Sequence, residues 1–240
     1  MAISLKKGQG VSLRKDENDL SQVTIGLGWD CDEPGNQRFE IVEKTVEKMV
    51  ERKKPAGGTE LVREMVVESR QIPIEWDLDV VAFLCDASGK VKHMGDLKNE
   101  KPTLVNGDVV FFNSLKHRSG QIWLTGDNRD GSGDGDDEQI IANLNDLPDY
   151  IQKIAFIVQI YHGQGKGQSF GEVKNAFIRA VDKKGKEMAR FDLSGGKEFA
   201  QFRSMIFAEL VREGSGWKLN AIGEPFESDS FVHILRDRYI

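Results

Sequence analysis

The chain has 240 residues, 39% apolar and 30% charged, which is enough for one large domain with a real core and unlike a disordered segment. With 39 Asp and Glu against 33 Lys and Arg the formal charge is −6, which argues against a general nucleic-acid binder. No run of about 18 apolar residues is present, no apolar segment follows the lysine pair of "MAISLKKGQG", and Cys31 and Cys85 make no disulfide framework. The expectation is a cytoplasmic protein that does not span a membrane and keeps both thiols reduced.

Taken in chain order, most of the sequence reads as short strands rich in Val, Ile, Phe and Trp. "VSL" at 11–13 and "VTIGLGW" at 23–29 come first. The stretch 31–73 then interrupts the strands. It is polar, bounded by "CDEPG" and Pro73, and places Phe39, Val42, Val46, Met49 and Val50 at helical spacing. Pro55 and Gly57–Gly58 end that helix, and Thr59 caps a second segment, "ELVREMVVESR", for which a strand stays open. We therefore expect a helical insertion at about 31–73, packed on the main body, serving self-association, or binding a partner. Strands resume with "LDVVAFLCD" (78–86), "DVVFFN" (108–113), "QIWLTG" (121–126) and "KIAFIVQIYH" (153–162). "AFIRAVD" and "EMARFDL" flank "KKGK" as a hairpin, and "WKLNAIG" at 217–223 adds a strand. "AQFRSMIFAELVRE" is mixed in character, and "SFVHILRDRYI" closes the chain as a short helix. The predicted fold is mainly β: one domain over 1–240, a two-sheet antiparallel β-sandwich with few short helices.

The chemistry concentrates in "TGDNRDGSGDGDDEQI". Asp127, Asp130, Asp134, Asp136, Asp137 and Glu138 fall within twelve residues, interleaved with Gly126, Gly131, Gly133 and Gly135. Calcium takes six to eight oxygen ligands in flexible geometry, and glycines let a backbone turn its carbonyls inward. Magnesium wants a tight octahedron, and no Cys or His is near enough for zinc. The loop is not an EF-hand: counted from Asn128, Glu138 falls at position 11 rather than 12. Asp77 and Asp79 form a second acidic pair at the start of a strand, and Asp30 ends another. If 31–73 is an insertion, Asp30 and Asp77 lie at the two ends of one loop.

"ISLKKGQGVSL", "GLGWD", "WDLDVVAFLCDASGKV", "TGDNRDGSGDGDDEQI", "QSFGEVKNAFIRAVD", "ARFDLS" and "MIFAELVREGSGWKLNAIGE" together resemble the tellurium-resistance TerD family. The resemblance covers nearly the whole chain outside 31–73 and the last fifteen residues. It implies a β-sandwich that binds calcium, commonly two ions, and acts without catalysis in bacterial tellurite resistance and general stress responses. The family's metal region maps onto Asp30, Asp77, Asp79, Asp127, Asn128, Gly133, Asp134, Asp136, Asp137 and Glu138. Partners implied are other tellurium-resistance proteins, membrane-associated ones included. Two departures stand out: over forty residues separate "GWD" from "DLD", with Trp76 where the family usually has Phe, and "YHGQGKGQSFG" lacks the family's charged stretch.

Other signals are weaker. "GQGKGQS" at 163–169 fails the P-loop pattern, because Gly167 follows Lys166. His93, His117, His162 and His233 show no metal spacing. The competing reading is a two-metal phosphoesterase or nuclease, which needs an open coordination position and a cation beside it; only Arg129 is close in sequence.

Overall fold

The computed structural model describes residues 3–30, 39–55, 57–73, 76–125, 135–193 and 196–240, and the account below concerns these. They form sixteen strands: β1 (Ile3–Leu5), β2 (Gly10–Leu13), β3 (Val23–Asp30), β4 (Phe39–Lys53), β5 (Thr59–Pro73), β6 (Leu78–Cys85), β7 (Leu97–Lys98), β8 (Lys101–Pro102), β9 (Val109–Val110), β10 (Ile122–Leu124), β11 (Glu138–Ala142), β12 (Lys153–Ile160), β13 (Lys174–Asp182), β14 (Glu187–Leu193), β15 (Ser204–Glu213) and β16 (Gly216–Phe226). One sheet has the order β1-β14-β13-β3-β11-β10, and a second has β2-β16-β15-β12-β6-β9. All pairs within these two sheets are antiparallel except β1 with β14, which is parallel.

Strand alternation separates core from cover. In β3, Val23, Ile25, Leu27 and Trp29 are buried in the main core, while Gly26 and Gly28 fall on the opposite face. β6 is buried on both faces. Leu78, Val80, Ala82 and Leu84 join the main core; Val81, Phe83 and Cys85 join a second cluster with Phe111, Ile157 and Ile206. That second cluster is closed by the C-terminal segment, a helical turn α1 (Phe231–Ile234) continued by a wider turn over Leu235–Tyr239. It contributes Phe231, Ile234, Leu235 and Tyr239. The short closing helix expected from the sequence is therefore present, and it explains why "LDVVAFLC" is apolar without alternation. Burial pushes the Cys85 thiol up to about 12, so it stays protonated.

The stretch 31–73 corrects the sequence expectation. Residues 32–75 form a separate compact unit, but its described part is a two-stranded hairpin, not helical. β4 and β5 pair without a register break from Phe39↔Pro73 to Lys53↔Thr59. A spacing of four residues, as in Val42, Val46 and Val50, suits a strand face as well as a helix face, since four is twice the strand period. The β-branched residues that line it, with Val62 and Val66 opposite, favour the strand. Charges pair across the two strands, Lys48 with Glu68 and Arg52 with Glu64. The other face carries Phe39, Ile41, Met49, Leu61, Met65 and Val67, all exposed.

Smaller differences follow from local backbone. "DVVFFN" holds only a two-residue strand, because the chain turns at Phe111–Ser114. "AQFRSMIFAELVRE" resolves into β15 from Ser204 onward. "EQIIA" forms β11, which the sequence reading left inside the acidic loop.

Candidate functional site

Two glycines in β3 shape the first part of the site. A Cβ on Gly26 would lie 2.1 Å from the Asp136 carboxylate, and one on Gly28 would lie 2.4 Å from the Phe177 ring and 2.6 Å from the Gly135 carbonyl. The "GLGW" pattern therefore places Leu27 and Trp29 in the core and leaves room above the outer face for the incoming acidic segment. Asp137 N–H donates to the Leu27 carbonyl at 2.8 Å, extending the β3–β11 ladder. Trp29 N–H donates to Asp137 Oδ2 at 2.9 Å.

Asp136 precedes β11, which begins at Glu138, so strand alternation does not set its direction, and the two side chains diverge. Asp136 turns outward, where Arg179 Nε donates to its Oδ1 at 2.7 Å. Arg179 also reaches Glu187 at 3.2 Å, and the hydrogen bond to Asp136 holds its guanidinium above the ordinary arginine range. Glu138 turns inward and is 2% exposed. Its Oε2 accepts from Val80 N–H at 2.6 Å. Val80 belongs to the second sheet, and β9 pairs β6 only at Ala82 and Phe83, so Glu138 takes up a donor at the uncovered end of that edge. This carboxylate straps the start of β11 to the start of β6.

Asp77 and Asp79 stand at that same start of β6. The Asp77 carbonyl accepts from Tyr161 N–H at 2.7 Å. Asp79 is 4% exposed and opposes Gln159 in the β6–β12 register. Gln159 Nε2 donates to Asp79 Oδ2 at 2.8 Å, and its Oε1 accepts from Phe231 N–H at 2.7 Å. The amide thereby links the acidic strand end to the start of α1.

The structure thus brings Asp77, Asp79, Asp137 and Glu138 to one end of the two sheets, where the backbone of Asp30 ends β3, and it directs Asp136 to Arg179. Asp127, Asn128, Gly133 and Asp134 lie outside the described residues. Among the described residues no group of three or more His, Cys, Asp or Glu is placed to hold a metal ion by itself. The donor chemistry nonetheless suits a hard cation. Asp79 and Glu138 are buried and Asp137 is half-buried, and these three are oriented by the Gln159 amide and by the Val80 and Trp29 N–H groups.

The sequence reading missed Arg179 and Gln159, which sit in ordinary strand positions and are marked only by register. It also missed a buried cluster around Asp108. His117 Nε2 lies 3.1 Å, Tyr150 Oη 2.9 Å and Arg118 3.2 Å from Asp108 Oδ1, and His93 N–H donates to Oδ2 at 3.1 Å. Ser119 N–H donates to His117 Nδ1, so the ring proton sits on Nε2 and points at Asp108. Burial pushes the Asp108 carboxyl up, but the hydrogen bonds and the Arg118 charge outweigh it and hold it below the usual range. The "GQGKGQS" stretch forms a turn after β12 with no helix behind it, which removes the phosphate-loop geometry. No helix of the described residues is long and apolar enough to cross a membrane.

Residues 1–237 match the TerD domain family. Tellurium resistance protein TerX of Serratia marcescens is 59% identical over 237 residues, 99% of this chain and 99% of its own. General stress protein 16U of Bacillus subtilis (strain 168) is 33% identical over 228 residues, 95% of this chain and 92% of its own. The crystal structure of a homologue of telluride resistance protein (TerD) from Streptomyces coelicolor A3(2) has a TM-score of 0.53 and 20% identity, covering 88% of this chain and 94% of that one, a likeness of fold.

Proposed function

The chain belongs to the TerD family of tellurium-resistance and stress-response proteins, and on that premise we propose that it is a non-catalytic, cytoplasmic calcium-binding module. The observation that carries the reading is the Glu138–Val80 bond, which draws the acidic strand ends of both sheets together. Asp77, Asp79, Asp137 and Glu138 would hold the ion, with further oxygens from 126–134 and about two ions in all. Calcium supplies charge neutralisation there: like carboxylates a few ångströms apart repel by about a kcal/mol per pair even in high dielectric. Asp136, paired with Arg179, acts instead as an anchor that fixes where the loop rejoins β11. The ordered loops then present a surface to other tellurium-resistance proteins, including membrane-associated ones.

Calorimetric titration of calcium into chelator-stripped protein, with magnesium as control, tests the proposal. Calcium binding at micromolar or lower concentration, weakened by Asp137→Asn and not matched by magnesium, supports it. Natively folded protein that takes up no calcium refutes it.

A further inference from the structure

A cavity of about 360 Å³ opens between the chain leaving β12 and the start of α1, lined in part by Phe111, Phe112, Tyr161, His162, Asp229 and Phe231. That volume is within the range of small-ligand sites. Its aromatic rings meet nearly at right angles. Phe111 and Phe112 are 5.4 Å apart at 79°, Phe112 and Tyr161 5.7 Å at 78°, and Tyr161 and His162 4.2 Å at 69°. The rings therefore meet edge to face rather than in a stack. His162 holds a left-handed backbone (φ 53°) that side chains other than glycine rarely adopt. Strain of this kind concentrates at binding sites.

The polar lining gives the cavity its sign. Asp229 Oδ2 accepts from Gln164 N–H at 3.0 Å, which ties the carboxylate to the turn beyond His162. No Lys or Arg lines the cavity, and among the described residues none pairs with Asp229. A neutral aromatic guest would fill the space but leave this carboxylate uncompensated. An inorganic cation would gain oxygen ligands from one carboxylate only. A cation with an apolar surface satisfies both features, because ring faces attract positive charge that carries methyl groups and the carboxylate adds a counter-charge.

We propose that this cavity binds a small alkylated ammonium cation of the choline type. Cavity and acidic strand end are linked through Gln159, but the ligand needs no calcium, so the test is run in chelator and stands apart from the calcium reading. Choline and its neutral isostere 3,3-dimethyl-1-butanol are each titrated into the full-length protein, followed by amide shifts of Phe112, Tyr161 and Phe231. Choline is expected to bind at least about tenfold more tightly than the alcohol. Asp229→Asn should reduce that preference about fivefold or more, and Phe112→Leu or Tyr161→Leu should weaken choline by a similar factor. Thermal melts confirm that each variant is folded, and two ring variants guard against the loss of one. Equal affinity for the two compounds, unchanged choline binding by Asp229→Asn, or no shift with choline up to about 50 mM would each overturn the proposal.

Discussion

Replacing Glu138 with Gln separates its two roles, strap and ligand. The amide oxygen of Gln can still accept from Val80 N–H, so the bond between the sheets survives. What is lost is the charge on the acceptor. Charged hydrogen bonds contribute about 1.5–3 kcal/mol and neutral ones about 0.5–1.5, a difference of about 1 kcal/mol. Relief of repulsion from neighbouring Asp79 and Asp137 works in the opposite direction. For a chain of this size 1 kcal/mol shifts Tm by about 2–4 °C, so metal-free wild type and variant should melt within about 4 °C of each other. Calcium at a hundred times its Kd stabilises a one-site protein by about 2.7 kcal/mol, which is about 5–11 °C in Tm. Scanning calorimetry with chelator and with excess calcium should show that rise in wild type and its loss in Glu138→Gln. An undiminished rise in the variant would sink the assignment of Glu138 as a ligand and leave it only the strap. A metal-free Tm lowered by more than about 10 °C would refute the view that the acceptor, not the charge, holds the sheets.

Three further outcomes follow from the geometry. Asp108→Asn opposes an amide N–H to the His93 N–H or to the donors on Oδ1, and should cost about 1–3 kcal/mol at pH 7 in urea unfolding. Because the folded pKa of Asp108 is lowered, its stabilisation is present above the ordinary carboxylate range and is lost as pH falls through the folded value. The gap between wild type and variant should narrow below about pH 4, and a gap that widens there contradicts the assignment. Gly28→Ala drives a methyl group into the Phe177 ring and the Gly135 carbonyl; it should lower stability by about 1–3 kcal/mol and weaken calcium binding, whereas an unchanged titration would show that the approach of Gly135 to β3 does not position the acidic segment. Hydrogen exchange should be at least about a hundredfold faster for the amides of β4 and β5 than for β6, since an isolated two-stranded hairpin is marginal in water. Equal protection would mean that the hairpin is covered in solution.

The class of the fold was legible because alternation and turn chemistry are local. "VTIGLGW", "KIAFIVQI" and "WKLNAIG" each show on their own that they are strands, and the Gly/Asp interleaving of 126–138 shows by composition alone an oxygen-rich loop. The stretch 39–73 was misread because Val42, Val46 and Val50 satisfy both periods, and only the partner strand, with Val62, Val66, Glu64 and Glu68, decides between them. The use made of each acidic residue was not legible at all. Asp136, Asp137 and Glu138 are neighbours in the chain, yet the bend ahead of β11 sends Asp136 to Arg179, forty-three residues away, and the register of β11 sends Glu138 to a backbone N–H in the other sheet. Asp79 meets Gln159 across eighty residues. Sequence by itself determined which chemistry this end of the molecule has, because residue type sets the donor atoms. Tertiary structure decided that Asp136 acts as an anchor and that Glu138 reaches the other sheet, because direction depends on strands that are distant in sequence and adjacent in space.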